Sequence, residues 1–220
     1  MTLSTTMKRT TRSASFLLAI FASLFYHPVA THALAPVAAL PTLADFSKAL
    51  QNGDSKVLRG VYVDDIFALP IVQQPSGSSA FVSSNDGEIT QFGMAAQYGN
   101  IGLLAHNHLS GKLFVELAAG QQVRLVYGDG KIETFVITKV LRYQALQPNS
   151  PYSSFRNLDK SEETATAQQM FERAYLGDRH VTFQTCIEAY GNPSWGRLFV
   201  IAVPRSEYLG FDRPGIDKFQ

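Results

Sequence analysis

The sequence predicts a mainly β protein, a single domain of many short strands forming a barrel or sandwich with short helical insertions. Three observations predict it. Short runs rich in Val, Ile, Phe and Tyr recur from Val57 to Val203. Turn-forming residues separate them, most clearly at Gly128-Asp129-Gly130, where Asp-Gly tolerates positive φ. Helical spacing appears only in brief stretches, and no internal repeat is present.

In chain order, residues 1–33 read as an export signal. Lys8, Arg9 and Arg12 form a basic start with no acid nearby, and Ser13–Tyr26 is an apolar run. Thr31-His32-Ala33 or Ala33-Leu34-Ala35 supplies small residues for cleavage. The apolar run falls short of the roughly 20 residues that span a bilayer, which favours cleavage over a retained anchor. Cleavage would remove three cations and turn the formal charge from +1 to −2. Without a basic run or an aromatic-plus-arginine platform, nucleic acid is not an expected partner. About 187 residues remain, enough for one real core.

Residues 34–60 hold a small-residue, proline-bearing linker and a first helix. Thr42 opens the helix, Leu43, Phe46 and Leu50 share its apolar side, and Gly53 stops it. Val61–Val63 and Ala68–Val72 read as strands, and Gln74–Ser79 as a loop. Asp86 or Gly87 is expected to open a second helix over Glu88–Tyr98, with Ile89, Phe92 and Ala96 on one face. Ile101–Ala105 is a buried strand that runs into His106-Asn107-His108. Leu109–Lys112 is a turn and Phe114–Leu117 a short helical turn. Gln122–Tyr127 and Ile132–Leu141 form a hairpin, Gln147–Ser154 is a loop, and Ser161–Leu176 reads as a helix. Arg179–Cys186 and Arg197–Val203 are the last strands, followed by a polar tail over residues 205–220.

Cys186 is the only cysteine, which excludes an internal disulfide, a thiol-pair redox motif and a multi-cysteine zinc site. By composition a lone cysteine in an apolar strand is a small core residue. Its place at a strand end, with Arg197 opening the next strand, also suits a nucleophile with a cationic helper. A base is then needed. His180 lies six residues before Cys186, roughly 20 Å along an extended strand, and reads as a rim histidine. His106 and His108 leave a buried strand into a loop, where functional groups collect. Either of them is open as the partner on this ground alone.

Thr182-Phe183-Gln184-Thr185-Cys186 resembles the Thr-Leu-x-Thr-Cys signature of sortases, the cell-envelope cysteine transpeptidases. Leu104-Ala105-His106 resembles that family's Ala-Gly-His, and Phe114–Leu117 its Phe-x-x-Leu. Gly120-Gln121-Gln122-Val123 resembles its Gly-Asp-x-Val segment, and Arg197–Ala202 its Arg-x-hydrophobic last strand. The order His, Cys, Arg is also the family's, and the resemblance covers residues 61–204. Ala105 and Phe183 depart from the pattern, and His108 adds a second histidine.

The resemblance implies a closed β-barrel and acyl transfer through a thioester. Cys186 would be the nucleophile, His106 the acid and base, and Arg197 the group that holds the peptide or steadies the oxyanion. Thr185 and His108 would contact substrate. The implied partners are a peptide sorting signal and an amine acceptor, with no cofactor and no metal. Glu162 and Glu163 read as a solvated helix start rather than calcium ligands. The chain would act after export, secreted or in the cell envelope, and would hold to a membrane only through an uncleaved N-terminal segment. Two other readings stay open: a hydrolytic peptidase of the same fold, and a non-catalytic exported β-domain that binds an envelope partner.

Overall fold

Alternation of inward and outward side chains along the strands sets the architecture. The computed structural model describes residues 39–211. Its strands are β1 Leu58–Val63, β2 Phe67–Gln73, β3 Ile89–Phe92, β4 Ile101–Leu104, β5 Gln122–Tyr127, β6 Ile132–Ala145, β7 Phe155–Asn157, β8 Thr164–Ala165, β9 Val181–Ala189 and β10 Asn192–Pro204. They form one sheet in the order β10-β9-β4-β3-β2-β1-β5-β6-β7-β8. A further pairing of β10 with β6 closes eight of them into a barrel, and β7 and β8 extend from β6. The barrel expected from the sequence is therefore present. Two pairings are parallel, β2 with β3 and β4 with β9.

The barrel interior is filled by one residue in two from each strand. Phe67, Phe114 and Phe183 meet at its centre, with ring centroids 5.2 to 6.2 Å apart. On β9, Val181 and Phe183 point inward with Leu198, Val200 and Ala202 of β10. The outward set, Thr182, Gln184 and Cys186, therefore lies on the other face. Two smaller clusters cover that outer face. One packs Phe46 of helix α1 (Leu43–Leu50) on Tyr62 and Val126. The other packs Met170, Ala174 and Tyr175 of helix α3 (Ala167–Tyr175) on Tyr143 and Phe199.

Thr42 caps α1, its hydroxyl accepting from the Asp45 N–H at 3.2 Å. The hairpin turn at Gly128–Gly130 forms, with Gly130 at φ 87°. Several local expectations change. The helix expected over Glu88–Tyr98 is strand over Ile89–Phe92, and only α2, Gly93–Gln97, is helical. The Ile89-Phe92-Ala96 spacing fits a helix face, but Ile89 and Thr90 are β-branched and gain two strand partners, β2 and β4. The helix expected from Ser161 starts at Ala167. Thr164 and Ala165 pair with Phe155 and Arg156, and Thr166 with Gln169 makes the capping box. Ser110–Glu116 is a 3-10 helix, wider than the turn expected over Phe114–Leu117. Helix α4, Arg205–Phe211, begins the segment expected to be a polar tail. The expected export signal lies outside the described residues. Among the described residues no helix is long and apolar enough to cross a membrane.

Candidate active site

Strand register sets Cys186 opposite Arg197 and ends β4, the other neighbour of β9, two residues before His106. In the antiparallel β9–β10 pair Cys186 stands directly opposite Arg197, so both side chains leave the same face a few ångströms apart. In the parallel β4–β9 pair Leu104 stands beside Gln184, and the Ala105 N–H donates to the Gln184 carbonyl at 3.3 Å. His106 follows two residues on from Leu104, just past the end of β4. The row of Cys186 and Arg197 continues beyond Arg197 to Tyr143 of β6 and Asn157 of β7. Cys186, His106 and Arg197 are each half-buried.

The chain turns sharply after Ala105. The Leu109 and Gly111 N–H groups both donate to the His106 carbonyl at 3.0 Å, and the 3-10 helix follows. This turn folds His108 back over His106, with ring centroids 5.5 Å apart and planes 26° from parallel. Asn107, between them, donates from Nδ2 to the Pro193 carbonyl at 3.0 Å and ties the histidine turn to the β9–β10 hairpin. His108 is exposed.

Arg197 folds along its own hairpin. Its Nη1 donates to the Ser194 carbonyl at 3.0 Å and the Gly196 carbonyl at 2.8 Å. The hairpin tip has Tyr190 and Gly191 at φ 53° and 73°. Tyr190 and Trp195 meet edge to face beside it, 5.9 Å between centroids.

The outer layer covers part of β9 and stops short of the thiol. The Thr182 hydroxyl donates to the Ala174 carbonyl at 2.5 Å, and the Tyr175 hydroxyl donates to Gln184 Oε1. Burial pushes the Tyr175 hydroxyl well above its ordinary pKa, so it stays a donor. A Cβ at Gly102 would lie 2.8 Å from Phe92 and 3.0 Å from Tyr175, so only a glycine lets this layer sit down on β4. Tyr175, the last residue of α3, is thus anchored on Gln184, two residues before Cys186.

Not every residue expected at the site reaches it. Thr185 is 3% exposed and faces the barrel interior, opposite to Cys186. Its hydroxyl donates to the Ala105 carbonyl at 2.8 Å, a placement that serves the backbone and not a substrate. Alternation along a strand already places neighbouring side chains on opposite faces, and this signal was present in the sequence. His180 is buried and not a rim residue. Its ring nitrogens lie 2.7 Å from the Asp178 carbonyl and 2.8 Å from the Ala174 carbonyl. Asn107, Gly111 and Tyr175, which shape the site, carried no signal in the sequence. Two cavities, of about 370 and 320 Å³, lie at Glu133, Arg179 and Arg205 and at Val140, Ile187 and Leu198. None of His106, Cys186 and Arg197 lines either one. Among the described residues no three of His, Cys, Asp or Glu gather as a metal-ligand set.

No family model matches the chain, and no curated protein does. Solved structures of sortases are similar to it at low identity. Sortase A from Corynebacterium diphtheriae is 12% identical with a TM-score of 0.43, over 67% of this chain. The chain spans 60% of that protein's length. Clostridium perfringens sortase C, solved with the C-terminal cell wall sorting motif, is 16% identical with a TM-score of 0.44, covering 74% of this chain and 82% of that one. Sortase E1 from Streptomyces coelicolor, solved with a tripeptide in the active site, is 17% identical with a TM-score of 0.41, covering 74% and 96%. At this level of likeness, activity and substrate are read from the chain's own residues.

Proposed function

We propose that the protein is a sortase-like cysteine transpeptidase, which cleaves a short peptide signal through a Cys186 thioester and transfers the acyl group to an amine. The observation that carries this reading is the register that sets Cys186 opposite Arg197, with His106 two residues beyond Leu104, the neighbour of Gln184 on the adjoining strand. The Thr-Phe-Gln-Thr-Cys signature and the order His, Cys, Arg support it.

The proposed reaction gives each of the three groups a step. The Cys186 sulfur, as thiolate, attacks the scissile carbonyl and forms a tetrahedral oxyanion. Arg197 steadies that oxygen after its guanidinium leaves the hairpin carbonyls. Its planar, permanently charged donors suit a developing negative charge better than an ammonium. His106 gives its proton to the leaving amine, the C–N bond breaks, and a thioester remains. The incoming amine gives a proton to His106, attacks the thioester, and releases the thiolate with a new amide bond. Water in place of the amine gives hydrolysis by the same groups. Export of the chain through residues 1–33, to the cell envelope or beyond, belongs to the same proposal; N-terminal sequencing of the mature protein tests it.

The functional test has two stages. Iodoacetamide labelling of Cys186 in the full folded chain is followed across pH for the parent, His106→Ala, His108→Ala and Arg197→Ala. Labelling that changes with His106→Ala and not with His108→Ala supports the dyad. A peptide library with an added amine then shows transfer as amide product, whereas product unchanged by the amine means hydrolysis. If Cys186 labels only after unfolding, it is a core residue, and the non-catalytic β-domain replaces the enzyme.

A further inference from the structure

The Ala105 carbonyl sits where β4 stops being a strand. In a parallel ladder the Ala105 N–H bonds the Gln184 carbonyl, and the Cys186 N–H would bond the Ala105 carbonyl next. The first of these bonds is made. The Thr185 hydroxyl occupies the second place, donating to the Ala105 carbonyl at 2.8 Å from the barrel interior. A side chain thus takes over from the backbone at the residue before His106.

Gly111 closes the arrangement from the other side. Its N–H donates to the His106 carbonyl at 3.0 Å. A Cβ there would lie 2.3 Å from the Thr185 hydroxyl oxygen and 2.7 Å from both the Ala105 and His106 carbonyl oxygens. The Thr185 hydroxyl, two consecutive carbonyls and the Gly111 backbone therefore share one tightly filled space. Thr185 and Ser110 are both nearly fully buried there, and the Ser110 hydroxyl accepts from the Gly87 N–H at 2.9 Å.

We infer that Thr185 is a positioning residue: its buried hydroxyl fixes the Ala105 carbonyl and so sets the direction in which the chain enters His106. The inference rests on the acyl-transfer reading for its consequence, since His106 matters to Cys186 only there. It assigns the adjacency of Thr185 and Cys186 a physical reason. Adjacent residues of one strand face opposite ways, so Cys186 reaches the open face while Thr185 reaches under the sheet to the histidine segment. A hydroxyl is needed, and a serine supplies it equally well.

The test is a double-mutant cycle on iodoacetamide labelling of Cys186 in the full chain, read as a pH–rate profile. Thr185→Val keeps the shape and removes the donor; Thr185→Ser keeps the donor. Thr185→Val is expected to change the rate about 3- to 10-fold and displace the profile, because small misplacements of a reacting group are costly. In the His106→Ala background the same substitution is expected to change it less than about twofold, as two residues acting through one contact are not additive. Thr185→Ser is expected to restore the parent profile. Equal effects of Thr185→Val in both backgrounds, or none in the parent, overturn the inference. A second readout separates it from the reading it rests on: the His106 ring resonances in solution NMR. They are expected to move with Thr185→Val while those of His180 stay. If they move although His106→Ala leaves labelling unchanged, the positioning stands and the acyl-transfer reading falls. If they do not move, the inference falls whatever the labelling shows. Should Thr185→Val fail to fold, Gly111→Ala displaces the same hydroxyl and is expected to move the same signals.

Discussion

Gly111→Ala is expected to destabilise the protein, although replacing glycine by alanine often does the reverse. The glycine has no positive φ, so alanine suits its backbone and restricting the unfolded chain would by itself add about 0.4–1 kcal/mol. Against this stand three contacts too short for a real Cβ, at 2.3, 2.7 and 2.7 Å. Two of them are with backbone carbonyls, which cannot rotate away. Forcing such a contact apart costs about 1–3 kcal/mol. The third is with the Thr185 hydroxyl, which yields only by releasing the buried Ala105 carbonyl, a further cost of about 1–3 kcal/mol. The clash outweighs the entropy, and the net loss is about 3 kcal/mol, or a fall in Tm of about 6–12 °C for a chain of this size. Gly93→Ala is the control. Its Cβ would meet only Gln74 Oε1 at 3.3 Å at the start of α2, so its Tm should hold or rise. Thermal unfolding of both variants by circular dichroism measures this. A Gly111→Ala variant as stable as Gly93→Ala would refute the packing argument, and with it the clamp on His106.

Three further outcomes are expected. Arg197→Lys should slow acyl-enzyme formation by about 100-fold or more, since an ammonium cannot offer two planar donors to the oxyanion; a near-parent rate in stopped-flow peptide cleavage would remove Arg197 from the chemistry. Asn100→Ala should cost about 2–4 kcal/mol in urea unfolding, because Asn100 accepts from the His180 N–H and donates to the Tyr175 carbonyl, both at 2.8 Å and both buried. Labelling of Cys186 in the folded fraction should not change, as Asn100 supports the far end of β4. Glu133 binds Lys131, Arg179 and the Tyr127 hydroxyl. Burial pushes its carboxyl up, but the Lys131 hydrogen bond, the Arg179 charge and the Tyr127 hydrogen bond outweigh that and hold it below the ordinary 4.5. A lowered carboxyl adds stability that is fully present above the ordinary value and is lost as pH falls through the lowered one. The parent should therefore lose more Tm than Glu133→Gln between about pH 6 and pH 3, and parallel curves would show that this cluster contributes nothing.

The barrel was legible in the sequence because its signals are local. The Asp-Gly turn, the alternation of β9 and the apolar runs of β5 and β6 each specify an element within a few residues. Ile89–Phe92 is ambiguous in the sequence because four residues cannot distinguish a helix face from a strand, and what decides is pairing with β2 and β4. β7 was invisible for the same reason: Phe155–Asn157 is a strand only because β6 runs on to Ala145 and offers its edge. Cys186, His106 and Arg197 are candidates that residue type and order alone single out in the sequence. The turn that stacks His108 on His106 depends on Gly111 and Thr185, and their meeting is a product of the closed sheet. Parity along β9 already separated Thr185 from Cys186, yet likeness of motif drew both toward the substrate.

The Thr185–Ala105 bond joins residues 80 positions apart, and the intervening chain includes the exposed loop from Leu146 to Ser154, where Tyr152 is 85% exposed. A protease that cuts there leaves His106 on one fragment and Cys186 with Arg197 on the other. Neither fragment then holds a complete centre, and each carries strands that lack their barrel neighbours. If the acyl-transfer proposal holds, activity after such a cut should report reassembly: it should persist while the two pieces remain paired along β4–β9 and β6–β10, and disappear when denaturant parts them. On that proposal the two halves, expressed apart and mixed, should serve as a split reporter whose signal is the meeting of a histidine and a thiol.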